Sequence, residues 1–443
     1  MSALTIGIDF GTTNSAVARA RAGGAGIDAT EMALFAHASG WTDVYRSILY
    51  FERQQAPPRR TVGWSGPRAI EHYLAAETKG RLIQSLKSFL TSRSLAATDV
   101  FGRRHTIEAL IARILRDVRE QAEAKFGARI SAAVVGRPVR FVGAESDEDN
   151  AFAEGRLREA FTLAGFEHVD FEFEPVAAAH FYESTLDHDE LIQIGDFGGG
   201  TSDFTLIRVG PQARLAAPAD RLLGNAGVGL AGDAFDARII QRLVSPALGA
   251  GTQLRSHDRL LPVPIAVYSK LERWHYLSLL KNRETLGQLE RVRAQAEQPE
   301  KIQALIHLIA GDLGYQLHRA VQALKFELSS HEAARFQFHD GVLALDAPVT
   351  RVEFEGWIAP ELARVEACVD GLLESTGVAA SDIDRVFLTG GTSFVPAVKR
   401  IFESRFGAER LQTGDEFTSV ARGLAVSGAA RGVSAQGNRL PEI

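Results

Sequence analysis

The chain has 443 residues, about three times the ~150-residue norm for one domain, so two or three packed lobes are expected. At 45% hydrophobic and 23% charged it has the composition of a globular protein, which excludes a disordered, collagen-like or disulfide-scaffold chain. With 49 Lys and Arg against 55 Asp and Glu, the net charge of −6 is too mild to draw in nucleic acid or an anionic membrane by itself.

The start, MSALTIGID, lacks a basic segment followed by an apolar one, and no run of 18 apolar residues offers a membrane span. The one cysteine, Cys368, excludes an intramolecular disulfide, so a cytoplasmic protein is expected. Residues 4–10, LTIGIDF, form an apolar run that stops at Gly11-Thr12-Thr13-Asn14, and Ser15 to Ala20 resumes it: strand, tight turn, strand. The segment 34–105, with Trp41 and the Pro57-Pro58 pair, reads as an insertion of short strands and turns. Helical spacing follows at 106–126 (Ile107, Leu110, Ile111, Ile114, Leu115, Val118) and at 151–164, with a strand at 131–135 between them. The acidic run Glu145 to Asp149 is expected to sit solvated at a helix N-terminus.

The opening pattern then recurs. Leu191-Ile192-Gln193-Ile194 leads into Asp196-Phe197-Gly198-Gly199-Gly200-Thr201, and Phe204 to Val209 resumes as a strand. Beyond it, 232–330 reads as mostly helical, 334–354 as strands, 357–376 as a helix carrying Cys368 in its core, and Val386 to Thr389 as a strand entering Gly390-Gly391, with Pro396 opening a helix. The Gly-, Ala- and Ser-rich tail from 428 is expected to fray. This division gives a first lobe at 1–186, a second at 187–413 with a helical insertion at about 232–347, and a return segment with the tail at 414–443.

Backbone binding of phosphate needs several N–H groups pointing one way, a geometry that glycine turns adopt cheaply. Two such turns, each led by Asp and each carrying Thr, point to a phosphate ligand more strongly than either alone. Asp9 and Asp196 are candidate oxygen ligands for a Mg²⁺ ion that keeps several waters, and Thr12, Thr13 and Thr201 can donate to phosphate oxygens. The twelve histidines show no close metal-ligand spacing, so a transition-metal site is not expected.

These motifs resemble those of the DnaK-type chaperones, the seventy-kilodalton heat-shock family. Asp9 to Ser15 and Asp196 to Thr201 with Asp203 look like its two phosphate motifs, and Leu388 to Gly391 like its adenosine motif. Glu174 to Ala179 resembles its connecting motif, Gly229 to Asp236 its glycine-acidic turn, and Val349 to Glu355 its return to the second lobe. The resemblance runs from 4 to about 427 and is greatest to the short, YegD-like branch with an ATPase domain only, so no peptide-binding domain and no autonomous capture of unfolded peptides is expected. It implies an α/β, actin-like (ribonuclease H-like, duplicated) two-lobe fold that holds ATP or ADP with Mg²⁺ in its cleft.

The resemblance also implies site residues. Lys87 takes the place of the catalytic lysine, the alternative being a plain surface lysine; Glu174 would position a water on the metal, the alternative being a solvated acid before a helix opened by Pro175. With Asp196 and Thr201 these form the expected catalytic group. Gly11, Thr12, Thr13, Asn14, Gly198, Gly199 and Gly200 would cradle phosphate, with Gly229, Gly232 and Asp233 of the glycine-acidic turn beside them. Gln322, Lys325 and Ser329 share a helix face at i, i+3 and i+7 suited to ribose and adenine, or form an ordinary polar face. Gly390, Gly391, Thr392 and Phe394 complete the adenosine site. Gln322 stands where the family has Glu. Phe394 replaces an adenine-stacking arginine, and either stacks in its place or belongs to the core. Glu154 falls where the family has an arginine that couples the ATPase to the peptide-binding domain.

The expected function is slow, Mg-dependent ATP hydrolysis in which lobe closure signals to a protein partner or co-chaperone. A small-molecule kinase or phosphatase using Asp203 as base, and an actin-type filament protein, are the alternatives. The stretch 245–320, where the family meets its nucleotide-exchange factors, resembles it only weakly.

Overall fold

The computed structural model describes residues 4–21, 29–37, 40–54, 60–76, 80–256, 259–264, 266–272, 280–413 and 420–429. The chain forms two compact units: Met1–Gly229 with Cys368–Gly390 and Phe402–Ile443, and Leu230–Ala367 with Gly391–Ile401.

The first unit contains two sheets built to one plan. In one, the strands run in the order His168–Phe173, Ile130–Arg137, Leu4–Phe10, Asn14–Ala20, Thr30–Met32, with Tyr45–Arg46 also paired to Asn14–Ala20. In the other the order is Leu411–Thr413, Arg385–Thr389, Glu190–Phe197, Ser202–Val209, Leu222–Val228. Each has an antiparallel hairpin at its centre, a third antiparallel strand on one side and two parallel strands on the other. The duplication legible in the two turns therefore extends to whole sheets, and the inner parallel strand of the first, Ile130–Arg137, is largely buried.

Helix Ile107–Phe126 covers the first sheet. Its apolar residues recur every three or four positions, which places Ile107, Leu110, Ile111, Ile114, Leu115 and Val118 on one stripe, all at most 1% exposed. Thr106 caps its start by accepting from the Ala109 N–H, and Gly127 ends it at φ 65°. Each buried Ile or Leu contributes roughly 1.5–3 kcal/mol. Helix Asp147–Ala164 begins at the acidic run, as expected: the Ser146 hydroxyl accepts from the Asp149 N–H at 3.2 Å, and the Asp149 carboxylate accepts from the Glu145 N–H at 3.2 Å. The 34–105 segment contains a three-stranded sheet (Thr61–Ser65, Ile48–Arg53, Arg81–Gln84), the helix Gly66–Ala75 and the hairpin of Ala97–Val100 with Arg103–Thr106. Residues 420–429 are helical, and Ala421 and Ala425 pack on Ala16, Ala18 and Met32. Gly428 and Ala429 thus belong to a helix rather than to the tail, whose remaining residues lie outside those described.

In the second unit, helices Arg283–Gln295, Pro299–Ala310 and Gly314–Ser330 follow the expected pattern, and a hairpin, Gln253–Ser256 with Arg259–Pro262, interrupts it. The expected strand at 334–354 resolves into Ala333–His339 and Ala344–Thr350, and the following helix starts at Arg351, six residues before the expected 357. The reason is a capping box: Glu353 accepts from the Thr350 N–H at 2.8 Å while the Thr350 hydroxyl accepts from the Glu353 N–H at 3.2 Å. Pro360 is accommodated inside this helix.

Candidate functional site

The first turn owes its tightness to backbone that leaves no room for a side chain at its head. A Cβ on Gly11 would lie 2.1 Å from the Asn14 carbonyl oxygen, so Gly11-Thr12-Thr13-Asn14 closes only with glycine at its head. In the second turn the Gly198 N–H donates to the Thr201 carbonyl at 2.9 Å. Gly390 follows strand Arg385–Thr389 at φ 86°, and a Cβ there would meet the Phe197 carbonyl oxygen at 2.1 Å. That glycine lets the 389–391 chain run against the second hairpin.

The side chains around these turns form one charge cluster. Lys87 comes from a short helical turn, Leu86–Phe89, entered through Ser85 in the left-handed region at φ 56° and anchored by buried Leu86. Its ammonium donates to Glu174 Oε1 at 2.9 Å, and the two side chains are only 9% and 15% exposed. Glu174 opens helix Glu174–Ser184 with Pro175 behind it. Lys87 is therefore not a surface lysine, and Glu174 is not a free solvated acid. Burial alone would lower the Lys87 pKa, but Glu174, Asp9 and Asp196 together carry it above the ordinary value, so the ammonium is held charged.

Three more carboxyls crowd this pair. Burial, reinforced by Glu174 and Asp196 and opposed by Lys87, pushes Asp9 up to about 7. Asp203 also rises to about 7, from burial and then from Asp196 and Glu174, with a hydrogen bond from Thr201 pulling the other way. Asp196 is raised by burial and by Glu174, while the Thr389 hydroxyl donates to its Oδ1 at 2.9 Å and opposes the rise. Four carboxyls against one lysine leave a deficit of positive charge that a cation would relieve. Among the described residues, no group of three or more His, Cys, Asp or Glu side chains converges closely enough to hold a metal ion directly. That donor set suits a hard cation that keeps its own waters, as Mg²⁺ does. A cleft beside the cluster is lined by Pro138, Glu174, Asp196, Asp203, Asn225 and Thr389.

Thr389 is expected from the sequence at a strand end and within the adenosine motif, not as a partner of Asp196. Its role comes from register, since parallel pairing sets Asp196 level with Thr389. Asn14, expected at the phosphate, uses its side-chain oxygen to accept from Arg46 Nη1 at 3.0 Å. Glu154, at the expected coupling position, accepts from Arg137 Nη1 at 2.6 Å and from Arg158 Nη2 at 3.3 Å. Burial pushes the Cys368 thiol up to about 11, the state of an inert thiol rather than a nucleophile.

The second unit holds the remaining expected residues. Gly232 and Asp233 open helix Gly232–Ile239, where Asp233 suits the positive end of the helix dipole. On helix Gly314–Ser330, Lys325 pairs with Asp236 Oδ1 at 2.6 Å and donates to the Gly232 carbonyl at 3.2 Å, which links the glycine-acidic turn to the Gln322, Lys325, Ser329 face. The Ser329 hydroxyl donates to the Lys325 carbonyl at 2.9 Å. Asp236, nearly fully buried, was not singled out among the candidate residues, although it lies in the same motif. Gly391 is exposed, Thr392 is buried, and Phe394 is 52% exposed, which removes the core alternative for that ring. Gly229, in the first unit, is exposed with open space around its Cα.

Two sheets of one topology, each carrying an acidic glycine turn at its central hairpin, are the architecture of the actin-like two-lobe fold. The chain belongs to the Hsp70 family: the family model described as "Hsp70 protein" matches residues 68–258 and 309–436. Residues 259–308 fall outside that match, within the stretch 245–320 expected to diverge. The chain is 26% identical over 434 residues to a protein described as "Chaperone protein DnaK" from Deinococcus proteolyticus. That alignment covers 96% of this chain but only 59% of the relative's length.

Proposed function

We propose that the chain binds ATP and ADP with Mg²⁺ and hydrolyses ATP slowly, and that the change of bound nucleotide is read by a protein partner in the cytoplasm. The observation that carries this reading is the Lys87–Glu174 pair at 2.9 Å, set among Asp9, Asp196 and Asp203 next to two glycine turns. Lys87 supplies fixed positive charge to a transferring phosphoryl group, and the carboxyls hold the waters of a hydrated Mg²⁺. Magnesium, when bound, would neutralise charge on the phosphates. Thr12, Thr13 and Thr201 donate to phosphate oxygens; Gln322, Lys325 and Ser329, with Phe394, take the ribose and base by the family resemblance. The short, YegD-like branch remains the branch this chain is most similar to in our reading, and a co-chaperone is its proposed partner class.

Calorimetry with ATP and ADP, with and without Mg²⁺, is the test. Binding that needs Mg²⁺ for full affinity, with a matching rise in Tm, is expected; no heat and no Tm shift at millimolar nucleotide would overturn the reading. One observation favours a second reading. An Asp203 carboxyl near 7 has the basicity of a general base, which a kinase acting on a hydroxyl acceptor would need. Consumption of ATP that depends on an added small-molecule alcohol, rather than on water, would favour it.

A further inference from the structure

Lys87 sits on a helical turn of 4 residues, Leu86–Phe89, which is too short to hold a fixed direction by its own hydrogen bonds. Its backbone makes only short-range connections: the Ser88 N–H donates to the Ser85 carbonyl at 3.1 Å, the Leu90 N–H to the Lys87 carbonyl at 3.2 Å and the Ser92 N–H to the Phe89 carbonyl at 3.1 Å. The carbonyls at the end of the turn are gathered by one side chain from another element. Arg156, buried on helix Asp147–Ala164, donates from Nη1 to the Phe89, Leu90 and Ser92 carbonyls at 3.2, 3.3 and 3.1 Å, and from Nη2 to the Leu95 carbonyl at 3.4 Å. Its Nε donates to the buried carboxylate of Glu108, in the first turn of helix Ile107–Phe126. The same two segments meet again further out. The Arg156 and Arg93 guanidiniums lie 5.6 and 4.5 Å from the centroid of the Phe152 ring, and Arg93 pairs with Glu148 at 3.2 Å.

We propose that Arg156 is a positioning residue for phosphoryl transfer: by binding the carbonyls that end the Lys87 turn, it sets where the Lys87 ammonium points. The inference rests on the reading above that Lys87 acts on a transferring phosphoryl group. A guanidinium suits this task because its donors form a flat fork, so one edge can be held by Glu108 while the other serves several carbonyls. Its charge also meets the partial negative charge that carbonyls carry at the end of a helical turn. An arginine present only to neutralise Glu108 would have no need to send all its remaining donors to one stretch of chain, 89–95. Phe89, the first residue held, is two positions on from Lys87, so a shift at the end of the turn is carried to the lysine almost undiminished. A misplacement of about 1 Å in a group that acts on the transition state can cost on the order of a hundredfold in rate. Arg156 has no part in the glycine turns proposed to bind the phosphates, so hydrolysis and not affinity should respond to it.

The test is single-turnover hydrolysis, Mg·ATP affinity and Tm on the full chain, in the parent, in Arg156→Lys, in the paired change Glu108→Leu with Arg156→Met, and in each of these combined with Lys87→Ala. The paired change removes both buried charges together, so Tm should fall less than for either charge removed alone, while the carbonyls still lose their donors. Hydrolysis should fall about tenfold in the paired variant and several-fold in Arg156→Lys, whose ammonium can reach Glu108 but cannot span the carbonyls; Mg·ATP affinity should stay within about twofold of the parent in both. In the Lys87→Ala background neither change should slow hydrolysis further, because no ammonium is left to aim. An arginine that only supports the fold would lower Tm and leave the rate of the folded protein unchanged, and that result in Arg156→Lys would overturn the proposal even if the paired variant failed to fold. Equal fold-losses with and without Lys87 would also overturn it. A parent that hydrolyses no ATP, or a Lys87→Ala variant as fast as the parent, would overturn the reading of Lys87, and the role of Arg156 with it.

Discussion

The two central hairpins share a backbone and differ in what surrounds their leading aspartates. Opposite Asp9 the register sets Ala16; opposite Asp196 it sets Asp203. On the parallel side, the pairing of Ile8 with Val135 brings Gly136 to the level of Asp9, whereas Asp196 has Thr389. A Cβ on Gly136 would come within 3.1 Å of the Glu174 side chain, so the glycine makes room for the partner of Lys87. The first turn carries Arg46 on its Asn14, while Asp203 beside the second accepts a bond from Thr201. One backbone plan thus occurs twice, and the flanking positions give its two leading aspartates different neighbours.

The sharpest way to break this comparison is to remove the charge on which both hairpins converge. Lys87→Ala should slow single-turnover hydrolysis by about a hundredfold, on the order of 3 kcal/mol of barrier, while ATP affinity changes far less. The same change leaves Glu174 without its buried partner, so Tm should fall as well. Equal turnover rates in parent and variant would remove Lys87 from the reaction.

A smaller effect is expected from Thr201→Val, which deletes both a phosphate donor and the bond that restrains Asp203. Hydrolysis should drop about tenfold, and because losing that bond moves the Asp203 carboxyl further up, the drop should be larger at pH 6 than at pH 8. A flat ratio across that range would disconnect Thr201 from the carboxyl.

Making the second hairpin resemble the first tests the charge asymmetry through stability. Asp9 and Asp203 have folded-state pKa values raised to about 7, so their contribution to stability is present in full below the unfolded value near 3.8 and is lost as pH rises through about 7. Asp203→Ala removes one of the two groups. Without nucleotide or Mg²⁺, the variant should gain a few degrees in Tm at pH 8, on the order of 1 kcal/mol or more, and gain little at pH 5. Thermal melts at the two pH values decide it: an equal shift at both would mean that the carboxyl's ionisation is not the cause.

The mildest prediction concerns the base. Phe394→Ala should weaken ATP and ADP by several-fold, the worth of one stacked ring, and leave inorganic tripolyphosphate unaffected. Parallel losses for both ligands would place Phe394 in support of the fold instead of at the base.

Much of this protein was legible in the chain because its signals are local. The two strand-turn-strand units, the helix spacing from Ile107 to Val118, the Pro396 helix start and the motif residues Asp9, Lys87, Glu174, Asp196 and Thr201 all stand within short windows of sequence. A local signal was also overlooked: Thr350-x-x-Glu353 starts the long helix, yet the strand pattern was extended through it. What only the tertiary structure decided depends on pairings between distant segments. Glu174 meets Lys87 across 87 residues, Thr389 meets Asp196 across 193, and Arg46 reaches Asn14 across 32. A strand's own sequence sets which residues share a face, but its level against a neighbour is set by the turns and packing of other segments, and a shift of one residue would break the Asp196–Thr389 and Asn14–Arg46 pairings. The raised carboxyls follow from the same cause, since burial and close like charges exist only once those registers are in place.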